Sequence, residues 1–196
     1  YGLTLSANDL YTMDNSGFSD YDHEVAGIGR VDASNLHNNA QGSGIVGISN
    51  PTNLDNDEFL LWGHDNGSLD FNNFTDLPDS SNFVRLSRTW RVSEVNSSNT
   101  AVDVGGIDLR INTSTLETFP PSALRLLVDA NNDGNFDDET LISGATDLGS
   151  GVYQFANVTA ISNETRYTVA LDLNNLDTDG DGVVNINDLD SDNDGI

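Results

Sequence analysis

Between Leu176 and Ile196 the chain reads LDTDGDGVVNINDLDSDNDGI, with a carboxylate at every second residue, Asp177, Asp179 and Asp181. Gly182 follows, then Val183, whose main-chain carbonyl is a further donor. Asn185 and Asp188 stand ninth and twelfth counted from Asp177. Oxygen donors at places one, three, five, seven, nine and twelve, with glycine at six for the sharp turn, have the spacing of a calcium loop. Carboxylates at this density repel one another strongly without a cation among them. A solvated acidic tail is the usual reading of a charge run. The glycine, the strict alternation and the apolar Val184 at the eighth place argue against it here. The expected cofactor is therefore Ca2+. Asp188 is shorter than the bidentate glutamate that usually closes such a loop, and the ninth place is an asparagine. The shorter closing side chain weakens the expected affinity.

A second loop opens before there is room for a helix after the first. Asp190, Asp192, Asp194 and Gly195 repeat the motif thirteen residues on (190 − 177 = 13), and the sequence stops at Ile196 in mid-loop. Helix-free DxDxDG loops at this short period resemble thrombospondin type 3 repeats, in which calcium ions take the place of an apolar core. Three oxygens do not saturate a cation that takes six to eight. The remaining ligands are expected from residues beyond Ile196 or from a neighbouring subunit.

A third stretch, VDANNDGNFDDE, presents Asp129, Asn131, Asp133, Gly134, Asn135, Phe136 and Asp137 at places one, three, five, six, seven, eight and nine. The twelfth place is Thr140, so a closing carboxylate there is missing. With LRLLV before it and TLIS after it, the loop is expected to join two strands. It resembles the hairpin calcium loops of integrin-type propeller blades. That resemblance implies closure by the ninth-place Asp137, with Asp138 or Glu139 as substitutes. The competing reading is an Asn/Asp/Gly hairpin turn without metal.

Composition narrows the function classes. The net charge is −25 over 196 residues, and all seven basic residues are arginine. Such a surface repels nucleic acid and anionic membranes and attracts divalent cations. Without cysteine there is no disulfide or thiol chemistry. No apolar run of about 18 residues is present to span a membrane. The chain starts at Tyr1 with no signal-peptide pattern, so both ends read as cuts through a longer polypeptide.

No nucleophile elbow and no singled-out catalytic set appears, and no enzymatic activity is expected. His23, His37 and His64 lack metal-ligand spacing. Trp62, Trp90, Tyr1, Tyr11 and Tyr21 would suit a sugar platform, but both tryptophans fall in strand patterns and are expected in the core.

These groups need a scaffold, and the chain reads as an all-β, two-sheet antiparallel sandwich of about nine or ten strands. Strands are expected at 23–31, 44–49, 58–63, 83–95, 101–111, 124–129, 152–155 and 167–173. The YGLTLS stretch at 1–6 is a further strand or the end of a preceding element. Phe83 to Val95 alternates best and predicts one long strand. Residues 34–41 and 70–81 are expected as loops and 7–13 as a helical turn. The sandwich domain is placed at 1–175 and the calcium connector at 176–196.

HEVAGIGRVDASNL (His23–Leu36), EFLLWGHDNG (Glu58–Gly67) and VRLSRTWRVSEV (Val84–Val95) together resemble a β-sandwich domain of very large secreted surface proteins and adhesins of Bacteroidota-type bacteria. The resemblance continues through LRLLVDANNDGNF and covers about Tyr1 to Leu173. It implies an extracellular, modular, calcium-rich architecture. Expected partners are neighbouring copies or adjacent modules of the same protein. The alternative is a carbohydrate-binding module of a secreted polysaccharide-degrading protein, with glycans as partners.

Overall fold

A computed structural model describes residues 9–14, 20–42, 44–116 and 118–176, together with Val183 and Asp190. Thirteen strands run through these residues: β1 (His23–Asp32), β2 (Asn35–His37), β3 (Asn39–Gln41), β4 (Val46–Ser49), β5 (Glu58–His64), β6 (Phe71–Asn73), β7 (Phe83–Leu86), β8 (Trp90–Asn96), β9 (Ile107–Asn112), β10 (Leu124–Asp129), β11 (Thr146–Gly149), β12 (Val152–Val158) and β13 (Arg166–Asp172). Every pairing between them is antiparallel. The larger sheet has the order β2-β1-β5-β8-β13-β7-β6, with β10 also on β13. The smaller has the order β11-β12-β9-β4-β3. The chain is thus the expected all-β, two-sheet sandwich.

The inner faces supply one core. Leu60 and Trp62 of β5, Val92 of β8 and Val169 of β13 meet Ile48 of β4, Leu109 and Ile111 of β9 and Phe155 of β12. Trp90 stacks on Tyr167 with ring centres 5.9 Å apart. Truncating a fully buried member such as Leu109 to alanine costs about 2–5 kcal/mol.

The long strand expected over 83–95 is divided into β7 and β8. Both pair with the same edge of β13, Ala170 with Arg85 and Tyr167 with Trp90. Between those pairs four residues, Leu86 to Thr89, stand against two, Thr168 and Val169, and the Thr168 hydroxyl donates to the Arg88 carbonyl at 2.8 Å. Two extra residues make an even insertion, so the alternation survives the bulge and Val84, Leu86, Trp90 and Val92 all point inward. Arg88, which strict alternation would put on the same side as Leu86 and Trp90, sits in the bulge instead and donates to the Gly67 carbonyl.

Other expectations are corrected. Residues 34–41 hold β2 and β3, and 70–81 hold β6. These three-residue strands lie at sheet edges, where few apolar positions mark them. The strand expected at 101–111 is confined to 107–112. Gly105 before it has φ 77°, and its amide bonds to the Asp103 side chain. The strand at TLIS is reduced to one bridge, Ile142 with Leu126. No helix forms over the described part of 7–13; Met13 and Asp14 make a turn, and Tyr11 and Met13 are buried. YGLTLS lies outside the described residues.

The larger sheet is also covered on its outer face. Tyr11, Met13 and Tyr21 pack over Leu61. Leu77 and Phe136 pack over Leu127 and Ala170. LRLLVD therefore shows no in–out alternation, because both faces of β10 are buried there.

Candidate metal centre

The Asp129 loop grows out of the end of β10. Asp129 is fully buried, and its Oδ1 accepts the Asp133 amide and its Oδ2 the Gly134 amide, each at 3.1 Å. Asn131 Oδ1 accepts the same Asp133 amide at 3.0 Å, and Asp133 Oδ1 accepts the Asn135 amide at 2.8 Å. The chain turns through Asn132 at φ 57° and Gly134 at φ 95°. Asparagine tolerates that left-handed region and glycine enters it without strain, which is why these types stand there. Glu139 closes the loop from its far end, its Oε1 accepting the amides of Ala130 at 2.8 Å and Asn131 at 3.3 Å.

Phe136 anchors the loop to the sheet. It is fully buried against Leu127 and Ala170, and its amide donates to Asp76 Oδ1 at 2.6 Å. The guanidinium groups of Arg166 and Arg85 lie 5.0 and 5.4 Å from its ring centre.

Beneath the loop three charged residues form a row across the ladder. Asp129 of β10 faces Arg166 of β13, which faces Arg91 of β8. Arg166 donates from Nε at 3.0 Å and Nη2 at 2.9 Å to Asp129 Oδ2. Arg91 donates to Asn132 Oδ1 at 3.1 Å and to the Glu164 carbonyl. Burial is the largest single influence on Arg166 and works against its charge, but the hydrogen bonds and charges of Asp129 and Tyr21 together outweigh it and raise the pKa. Burial lowers the pKa of Arg91 and of Arg85.

The expected ligands divide by burial. Asp129 is buried, while Asn131, Asp133, Asn135 and Asp137 are exposed. Asp129 Oδ1 and Asn131 Oδ1 both lie within hydrogen-bond reach of one amide, so the first two donors converge. Among the described residues no three His, Cys, Asp or Glu side chains stand together as a metal-ligating group. The donor set mixes carboxylates with the amide oxygens of Asn131 and Asn135, an all-oxygen chemistry suited to a hard cation. Asp129, Asn131, Asp133, Asn135 and Asp137 would hold calcium if it binds here. Sequence does not single out Arg166, Arg91 or Asp76 as site residues, and it offers Glu139 only as a substitute ligand. The one available signal for Arg166 was an arginine opening a strand in a chain with only seven cations.

Of the C-terminal ligands, Asp177, Asp179, Asp181, Asn185, Asp188, Asp192 and Asp194 lie outside the described residues. Val183 is exposed and Asp190 half-buried. The approach to this segment is fixed. Asp172 accepts Arg125 Nη2 at 2.7 Å, the Asn174 amide at 3.1 Å and Asn175 Nδ2 at 2.7 Å, capping a 3-10 turn at Leu173–Asn175. Leu173 and Leu176 pack against the core.

The histidines do not form one site. His23 and His64 face each other across β1 and β5, with rings stacked at 5.6 Å. His37 faces Gly29, about 20 Å further along β1. His64 Nδ1 accepts the Asn66 amide, so Nε2 carries the hydrogen and donates to Glu24 Oε2 at 3.0 Å. Burial holds the pKa of His64 down. Trp62, Trp90, Tyr11 and Tyr21 are all buried and offer no platform to a sugar; Tyr1 lies outside the described residues. Among the described residues no helix is long and apolar enough to cross a membrane.

A family model described as Domain of unknown function (DUF8202) matches residues 1–165. No curated protein and no solved structure matches the chain.

Proposed function

Since the chain belongs to the DUF8202 family, a description that carries no activity, we propose its function from its residues: a structural module of an extracellular surface, filament or adhesin protein, rigidified and joined to its neighbour by calcium. The observation that carries this reading is the way the Asp129 loop is fastened. A loop with calcium-ligand spacing is fixed to β13 through Arg166 and Phe136. The same strand ends at Asp172, where the Arg125 pair and the capped turn lead into the acidic connector. One strand thus links the loop to the root of the connector, so ordering at either end is felt through a rigid element of the sheet.

Calcium supplies positive charge among the carboxylates and fixes several backbone positions at once. Stability then rises with the free ion as RT ln(1 + [Ca]/Kd) for each site. Membership of a secreted, Bacteroidota-type surface protein, with copies or adjacent modules as partners, belongs to the same proposal. Calorimetric titration of chelator-stripped protein tests it. Heat of calcium uptake, reduced by Asp133→Ala and separately by Asp181→Ala, is the expected result. Absence of any uptake would overturn the metal reading.

A further inference from the structure

We propose that Arg166, assisted by Arg91, sets the calcium affinity of the Asp129 loop by acting as a resident counter-cation, an inference that rests on the calcium reading above. Arginines 85, 91 and 166 are three of the seven cations in the chain, and all three pack beneath this one loop. Arg91 and Arg166 face each other directly across the ladder, an arrangement that is unfavourable for like charges unless anions cover it. The loop supplies one anion, Asp129, whose Oδ2 accepts from Arg166, and the neutral amide oxygen of Asn132, which accepts from Arg91.

A cation taking Asp129 Oδ1 must share one carboxylate with Arg166. Its distance from Arg166 Nη2 is then bounded, by the Nη2–Oδ2 contact of 2.9 Å, the width of the carboxylate and an ordinary Ca–O length, at about 8 Å. The fork also ties the carboxylate to the sheet, so it cannot swing away to relieve the repulsion. Three carboxylates, Asp129, Asp133 and Asp137, minus one resident positive charge make a weak site. A lower ligand charge count weakens such a site, and we place it at about 10⁻⁴–10⁻³ M, the range of extracellular modules. The loop would empty and fill over the calcium levels found outside cells and stay empty inside them.

The test is calcium binding to the full chain and to Arg166→Gln at low ionic strength. The contribution of the loop is isolated as the difference between each chain and the same chain carrying Asp133→Ala. Arg166→Gln is expected to bind about tenfold more tightly at this site, a gain that shrinks as salt is added. Damage to a merely structural residue would weaken binding, so tightening is diagnostic. Arg166→Lys, which keeps the charge, should stay within about twofold of the parent. Unchanged or weaker binding by a folded Arg166→Gln protein overturns the proposal. Should that variant lose its near-ultraviolet tryptophan signal, Arg91→Gln decides in its place: two- to threefold tightening is expected, and none overturns the proposal. No calcium uptake by the parent chain would remove the calcium reading itself, an outcome distinct from equal affinities in parent and variant.

Discussion

Glu94 accepts the amide of Val104 on Oε1 at 2.6 Å while only 1% of the residue is exposed. Its backbone carbonyl takes the Val102 amide and its own amide donates to Asn163 Oδ1, so the segment before β9 is stitched to β8 through this residue. Burial pushes its carboxyl up to about 7, against the pull of the Val104 amide and with a further push from Asp103 and Glu58.

A folded pKa above the unfolded value of 4.5 fixes the sign of the pH dependence. The contribution of Glu94 is whole below pH 4.5 and is lost as pH rises to about 7, a change on the order of 3 kcal/mol. Glu94→Gln keeps the acceptor for Val104 without the charge. It is expected to exceed the parent in stability at pH 8 and to match or trail it at pH 4.5. Urea unfolding across that range checks this, and parallel curves for the two proteins would refute it.

Asp133→Ala removes the fifth-place oxygen of the loop and the cap on the Asn135 amide. The loop keeps Phe136, Asp76 and Glu139 as anchors, so its fold does not depend on Asp133 alone. A lower melting temperature is expected in millimolar calcium, with little change in chelator. An equal loss in both conditions would mean that the side chain acts without metal.

Phe136→Ala should behave differently. The ring is fully buried between two guanidinium groups and the apolar patch of Leu127 and Ala170. Its removal is expected to cost about 3–5 kcal/mol, in calcium and in chelator alike. Denaturant titration in both buffers reads this directly, and a loss confined to calcium would show that the ring matters only to the metal.

Strands with strict alternation or strong apolar runs were legible: Leu124–Asp129 was placed to the residue, and Trp62 and Trp90 fall in the core as expected. The short edge strands at Asn35–His37, Asn39–Gln41 and Phe71–Asn73 were not, since three polar-rich residues carry no period and their pairing is decided by a distant partner. The spacing from Asp129 to Asp137 marked the loop, because alternation of oxygen donors is a local property. The clamp on it was hidden. Arg166 lies 37 residues from Asp129 in sequence and meets it only through the β10–β13 register. The resemblance to propeller-blade loops implies Glu139 as a substitute ligand, whereas in the fold it caps two backbone amides.

The connector after Leu176 begins from a fixed root, since Asp172 is held by Arg125 and by two asparagines. Beyond it, carboxylates at alternate places from Asp177 to Asp181 repel one another in the absence of a cation. Calcium would exchange that repulsion for shared ligands, and a segment whose backbone is fixed at several places is a poor protease substrate. Cleavage within 177–196 is therefore expected to slow at least about tenfold in millimolar calcium relative to chelator, with cleavage elsewhere in the chain as the internal control. Asp181→Ala should abolish most of that protection, while Asp133→Ala should leave it intact because it acts at the other loop. Equal cleavage rates in both buffers would sink the reading of this segment as a calcium-organised connector, whatever the Asp129 loop binds.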